Sequence, residues 1–215
     1  MTRAIVFANG DCNDAICTLA NISKKDFLVC VDGGLRHCLA AGLQPDLLVG
    51  DLDSLDKASA VAIEGQNIEC VQFSPKKNAS DLELTLQTLV DRSVEEVVLL
   101  GISGGRTDHV LFNWQLAASR SWPYRVRLID DYVDTQVVDS TRPLCVTAEV
   151  GQTFSVIPLV QNAKGVEIAG AVYPLSGAEL PLGSTLGLSN EVVRPCLQVS
   201  VEQGVLMVMM VHMPR

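Results

Sequence analysis

The run "LVGDLDSLD" (48–56) decides how this chain is read. An apolar segment ends abruptly, and Asp51, Asp53 and Asp56 follow at close spacing with Ser54 among them. Carboxylates this close repel one another unless positive charge sits between them. Either the stretch is a solvated turn or it grips a cation, and its neighbours in the fold decide which.

Outward from it, short β-branched runs recur through the first 130 residues: "AIVFA" (4–8), "FLVCV" (27–31), "DLLVG" (46–50), "IECVQF" (68–73), "EVVLLG" (96–101) and "VRLID" (126–130). They do not alternate apolar with polar, so both faces are expected to be covered. Segments with helical spacing lie between most of them. In "DLELTLQTLV" (81–90), Leu82, Leu86 and Leu89 or Val90 share one face, with Leu84 near its edge. Strand and helix in alternation predict an α/β unit over 1–131, a mostly parallel, Rossmann-like sheet with flanking helices.

Beyond residue 131 helical spacing disappears. Short strands follow one another: "TQVVD", "PLCVTA", "TFSVIPL", "KGVEIAG", "EVVRPCLQVSVEQ" and "GVLMVMMVH". "EQG" between the last two reads as a tight hairpin turn. An all-β domain over 132–215 is expected, a small sandwich or barrel, with the boundary near "DDYVDT" (130–135).

Composition limits the function. The chain has 215 residues, 48% hydrophobic and 19% charged, which is the balance of a globular protein. Its net charge of −9 argues against a nucleic-acid partner, which needs basic residues to neutralise phosphates. "VLMVMMV" is far shorter than the ~20 residues of a membrane span. The start, "MTRAIVFANGD", lacks the apolar core and cleavage site of a signal peptide. Seven cysteines without a CxxC pair read as reduced core thiols of a cytoplasmic protein, with no structural zinc.

In open α/β sheets, ligands bind beyond the carboxyl ends of the strands. "VDGG" places Asp32 there, with Gly33 and Gly34 able to admit a phosphate to the backbone. "GDLDS" adds Asp51 and Asp53. "SPKKNASDLE" adds Lys76, Lys77, Asp81 and Glu83, with Ser80 as the cap of a helix that starts at Asp81. "GISGGRTDH" adds Gly104, Gly105, Arg106, Asp108 and His109. Acids, glycines and an arginine gathered from several loops at one edge suit metal-assisted phosphoryl transfer. Mg²⁺ takes a few carboxylates plus substrate phosphates, and arginine offers a planar fork to phosphate oxygens.

Each element alone has a plainer reading. A DxD after a strand is often only a turn, and "DGG" is often only a tight one. His109 reads as a helix-start residue satisfied locally, Trp114 as core or interface, and Asp130 and Asp131 as strand-end turn residues. Asp56 reads as the cap of a following helix.

Taken together, "VDGG…GLQPDLLVGDLDSLD", "KNASDLELTL" and "GISGGRTDHVLFNWQLA" resemble, in order and spacing, the motifs of bacterial thiamine pyrophosphokinases, and "GLSNEV" (187–192) resembles a further motif of that family. The resemblance implies an α/β catalytic, ATP-binding domain followed by a β-sandwich thiamine-binding domain. It implies transfer of the terminal pyrophosphate of ATP, as one unit, to the hydroxyl of thiamine, giving thiamine diphosphate and AMP with Mg²⁺. It also implies a homodimer with active sites in clefts between subunits. By position, Asp51 and Asp53 would hold Mg²⁺ and the triphosphate, with Asp81 beside them. Asp32, Gly33, Gly34, Lys77, Gly104, Gly105, Arg106, Asp108 and His109 would line the nucleotide cleft. Asp51, Asp53, Asp81 and Asp108 would form the catalytic set; Asp81 or Asp108 could take the hydroxyl proton, or it could leave late without a dedicated base. Ser189 and Asn190 would lie near thiamine.

Two departures stand out. The family's K-D-x-T-D is here Lys77, Asn78, Ala79, Ser80, Asp81, which loses an acid at position 78. The β-domain of animal relatives offers a tryptophan to stack on thiamine, whereas Trp114 and Trp122 both lie in the α/β half. Two other readings fit the acids: a sugar-nucleotide transferase whose DxD holds a diphosphate, and a non-catalytic thiamine-binding relative.

Overall fold

The computed structural model describes residues 2–50, 68–74 and 78–212. Their strands form one ten-stranded mixed sheet and a separate antiparallel sheet of four. Chain contacts divide the molecule into two units, Met1–Asn113 with Leu128–Asp131, and Trp114–Arg127 with Tyr132–Arg215.

In the first unit, β1 (Arg3–Phe7), β2 (Phe27–Val31), β3 (Leu47–Gly50), β4 (Glu69–Gln72) and β5 (Glu96–Leu100) lie parallel in the order β5-β1-β2-β3-β4. Most of these strands are buried from their second residue onward, as continuous apolar runs require. β4 is the exception: Glu69, Cys70 and Gln72 are exposed on this edge strand. One face packs Ile5, Phe7, Leu28, Cys30, Leu48, Val98 and Leu100 against Ile16 and Ala20 of α1 (Asp14–Ala20) and Leu35 and Cys38 of α2 (Leu35–Ala40). α3 (Asp81–Val90) packs on β2 and β3 and buries Leu82, Leu86 and Leu89, while Val90 stays exposed. α4 (Thr107–Ala118) follows β5, and β6 (Arg125–Asp130) follows α4.

In the second unit, β7 (Val133–Val138), β9 (Thr153–Pro158), β12 (Asn190–Glu191) and β14 (Leu206–Val211) pair antiparallel in the order β12-β9-β14-β7. β8 (Leu144–Thr147), β10 (Ala163–Ala169), β11 (Leu175–Leu180) and β13 (Cys196–Ser200) form the other sheet in the order β11-β10-β13-β8. A single core draws Val138, Phe154, Val156, Leu206 and Val208 from the first set and Leu144, Val166, Ile168, Leu197 and Val199 from the second. β10 and β13 alternate buried with exposed residues, as strands with one wet face do.

Three sequence expectations change. "EQG" is no hairpin turn: β13 pairs with β8 and β10, whereas β14 pairs with β7 and β9, so the segment carries the chain from one sheet to the other. "EVVRPCLQVSVEQ" splits into β12 and β13, with Pro195, which has no N–H to give a ladder, just before β13. The cysteines are not all core: Cys30 and Cys38 are buried, but Cys70, Cys145 and Cys196 are exposed. β11, "LSGAEL", lacks strand-forming residues and exists because β10 presents it an open edge. The helix expected after Asp56 lies outside the described residues. No helix among the described residues is long and apolar enough to cross a membrane.

Candidate active site

The carboxyl ends of the parallel strands are tied together by backbone. Past β1, the Ala8, Gly10 and Asp11 amides donate to Leu100, Gly101 and Ser103 at 2.8, 2.7 and 2.7 Å. Two strand-end loops therefore run as one ladder, and the Asp11 side chain comes to lie against Gly104. A β-carbon on Gly104 would overlap that carboxylate, and its φ of +93° disfavours any other residue.

"DGG" forms a 3-10 turn (Asp32–Gly34) that joins β2 to α2, with Asp32 in left-handed conformation at φ 47°. Gly34 is buried, and a β-carbon there would strike the Phe7 carbonyl, so a packing demand alone accounts for this glycine. The Asp32 carboxylate sits against the α-carbon of Gly50, the last residue of β3 and the one before Asp51.

Arg36 locks these loops. Its guanidinium donates to the carbonyls of Asn9 at 2.9 Å, Gly10 at 3.2 Å and Gly33 at 3.3 Å, and to the Asn9 side-chain oxygen. His37 Nε2 bonds the Gly10 carbonyl at 2.7 Å; a carbonyl only accepts, so Nε2 carries the proton. Burial lowers the pKa of His37, opposed by this bond.

Beyond β5, Arg106 and Asp108 pair through two bonds, Nε to Oδ1 at 3.1 Å and Nη2 to Oδ2 at 2.6 Å, with both side chains largely exposed. The guanidinium holds the Asp108 carboxyl down at about 2, helped by the His109 amide. His109 is exposed on the first turn of α4. At the end of β6, burial pushes the Asp130 carboxyl up; its bond with Ser103 opposes this, and the charges of Asp131 and Asp11 add to it. Asp131 also receives a bond from Asn13 at 3.4 Å.

Asp81 opens α3 behind Ser80, whose hydroxyl caps the helix by accepting from the Glu83 amide at 3.2 Å. Asp51, Asp53 and Lys77 lie outside the described residues. Among the described residues, no three His, Cys, Asp or Glu side chains are close enough together to hold a metal.

In the second unit, Ser189 takes a left-handed φ of 55° and its amide donates to the Ser155 hydroxyl at 3.0 Å. The Asn190 side chain is buried and committed to backbone groups. It accepts from the Tyr173 and Glu191 amides at 3.0 and 2.9 Å and donates to the Tyr173 carbonyl at 2.8 Å. Tyr173 itself is 66% exposed.

Sequence reasoning passed over Asn9, Asp11, Arg36, His37 and Tyr173. For Asn9 and Asp11 the signal was present: "ANGD" follows the first apolar run just as "VDGG" follows the second. Arg36 and His37 carried none, because most of their partners, on Asn9 and Gly10, are remote in sequence.

Comparison with known proteins bears on the whole chain. Residues 19–126 match the thiamin pyrophosphokinase catalytic domain and residues 144–206 the thiamin pyrophosphokinase vitamin B1 binding domain. A thiamine pyrophosphokinase of Bacillus subtilis is 30% identical over 177 residues, 82% of this chain and 83% of that protein. Thiamin pyrophosphokinase 1 of Caenorhabditis elegans is 26% identical, over 79% of this chain and 73% of that protein. Among solved structures, that of the Bacillus subtilis enzyme superposes with a TM-score of 0.83 at 27% identity, covering 99% of each chain. The Candida albicans enzyme shares the fold at 14% identity, with a TM-score of 0.75 over 97% of this chain and 90% of that one. The chain belongs to the thiamine pyrophosphokinase family.

Proposed function

We propose that this thiamine diphosphokinase moves the terminal pyrophosphate of ATP, as one unit, to thiamine in a single in-line, Mg²⁺-assisted displacement. The hydroxyl oxygen of thiamine attacks the β-phosphorus of ATP. The bond from that phosphorus to the oxygen bridging it to the α-phosphorus breaks, AMP leaves, and the hydroxyl proton is lost. The observation that carries this reading is the match of both halves of the chain, one to a catalytic and one to a vitamin B1 binding domain.

The donors suit Mg²⁺, since Asp51, Asp53 and Asp81 would offer carboxylate oxygens, and Asp81, the described one of these three, stands on a capped helix start. Asp51, Asp53 and Asp81 would hold the ion. When bound, it neutralises charge on the triphosphate. Arg106 is read as a fork for phosphate oxygens. Asp32, Gly33, Gly34, Lys77, Gly104, Gly105 and His109 are read as the cleft around the nucleotide. Asp108, held ionised by Arg106, is a weak base, so we assign it to aiming the guanidinium. The hydroxyl proton would then go to an Asp81 oxygen that stays off the metal, or leave late in the displacement without a dedicated base.

Ser189 and Asn190 are assigned to the thiamine side. Asn190 acts through Tyr173, whose exposed ring offers a π-face to the cationic thiazolium. The first unit is read as a Rossmann-like nucleotide domain and the β-rich half as a sandwich. A homodimer with clefts between subunits, in the cytoplasm, completes the reading. The comparisons lend no support to a sugar-nucleotide transferase or to a binding-only relative.

Incubation with thiamine, ATP and Mg²⁺ should yield thiamine diphosphate and AMP in equal amounts. Release of ADP instead would mean single-phosphate transfer. Asp53→Asn should cost on the order of 10²–10³ in kcat with the circular dichroism unchanged; normal turnover would remove Asp53 from the metal set.

A further inference from the structure

On the outer face of the four-stranded sheet, Cys145 of β8 and Cys196 of β13 bring their sulfurs to 3.4 Å. Cys145 stands opposite Gln198 and Cys196 opposite Thr147, so the two thiols are diagonal neighbours on one face. Both side chains are exposed. Gln198 Nε2 points at the Cys196 sulfur from 3.8 Å. Beside them, an open groove of about 390 Å³ runs between Cys145, Glu167, Ala169, Gln198 and Ser200, and it gives a small molecule access to Cys145; Cys196 is exposed beyond it.

We propose that Cys145 and Cys196 form a reversible redox pair, closed to a disulfide by exchange with a small-molecule disulfide and opened again by thiols. In the first step one cysteine thiolate attacks a sulfur of the oxidant, forming a mixed disulfide and expelling one small thiolate. The second cysteine thiolate then attacks the protein-side sulfur, forming the Cys145–Cys196 bond and expelling the other. The two cysteines lose two electrons and two protons, and the oxidant is reduced to two thiols. Sulfurs in a disulfide stand about 2.05 Å apart, so closure needs rotation of both side chains and a slight approach of two strands already hydrogen-bonded. Strained and exposed bridges are the labile kind.

The remaining cysteines compete poorly. Cys12 and Cys17 stand farther apart, 3.9 Å, and are partly buried; the Cys145 thiol is also raised, chiefly by its bond with Cys196, so distance and exposure rather than acidity favour the Cys145–Cys196 pair. Cys70 is exposed, and among the described residues no sulfur partners it. The bridge is independent of the thiamine reading, since neither cysteine is among the residues assigned to substrate.

The test incubates the whole chain with oxidised glutathione, blocks remaining thiols with iodoacetamide, and maps proteolytic peptides by mass spectrometry. The expected result is a Cys145–Cys196 linked peptide forming before any other, reversed by dithiothreitol. Cys145→Ser should leave Cys196 carrying a glutathione that no longer resolves, and Cys196→Ser the converse. Separate glutathione adducts on both cysteines of the parent, or a Cys12–Cys17 link appearing first, would overturn the proposal.

Discussion

Asn190 closes on the backbone of Tyr173 from both sides, donating to its carbonyl at 2.8 Å and accepting from its amide at 3.0 Å. A buried carboxamide thus does the work of a strand partner for one residue, and the residue so fixed turns its ring to solvent. An aromatic held this way loses little freedom when a flat cation settles on it. Tyr173→Ala should therefore raise the KM for thiamine about 5- to 30-fold, the equivalent of ~1–2 kcal/mol of cation–π contact, and leave the KM for ATP unchanged. Asn190→Ala should also lower stability, by about 1–3 kcal/mol, because it strands buried backbone groups. Initial rates with each substrate varied, together with urea unfolding, separate the two effects.

The contact of Gly104 with the Asp11 carboxylate makes a second prediction. Ala at 104 needs both a left-handed backbone and space that Asp11 occupies, whereas Gly105, at φ +65°, faces open space. Gly105→Ala should cost about 1 kcal/mol from conformation alone. Gly104→Ala should cost more and also reduce kcat, since Asp11 and the paired loops must shift. Equal losses in urea unfolding and in turnover would show that the Asp11 contact carries no weight.

The parallel unit was legible because its strands are continuous apolar runs whose ends coincide with acids; 27–31 was read to the residue as β2. Ser80 as the cap of α3 was equally plain, since capping depends on a few adjacent residues. Pairing partners were not plain. "EQG" has the local chemistry of a turn, and only the partners of the flanking strands, β8 and β10 for β13 but β7 and β9 for β14, show the chain changing sheets. Nor was the role of Gly34 visible. A glycine that admits a phosphate and one that admits a neighbouring carbonyl look identical in sequence, and the Phe7 carbonyl decides it. Asp130 was read as a turn residue, yet burial and two acidic neighbours perturb it.

Asp130 leads to a prediction about pH. Its folded pKa is raised above the ordinary 3.8, chiefly by burial, so the folded chain holds that proton more tightly than the unfolded one. The stability this contributes is complete below the unfolded value and is lost as pH rises through the folded one. At neutral pH the ionised group is a burden, as acids gathered at a functional edge often are. Asp130→Asn should melt higher than the parent at pH 7, and the gap should close as the pH falls below 4. A constant gap across that range would place the cause elsewhere.

Arg106 and Asp108 titrate in the opposite sense. Hydrogen bonds from the guanidinium hold Asp108 at about 2, well under its ordinary 3.8. A depressed carboxylate contributes above its unfolded pKa and loses that contribution only as pH falls through the folded value, so Asp108 stays ionised until the pH falls toward 2. Arg106→Met should return Asp108 toward 3.8, read from the pH dependence of its carboxyl carbon by NMR. The same variant should lower kcat/KM for ATP by about 10- to 100-fold, as expected for loss of charge-assisted bonds to phosphate. Arg106→Lys should recover little of this, since an ammonium cannot present two parallel donors to Asp108 or to a phosphate. If Arg106→Met moved the acid limb of the pH–rate profile upward from near 2 toward 4, Asp108 would be the titrating base, and Asp81 would lose that role.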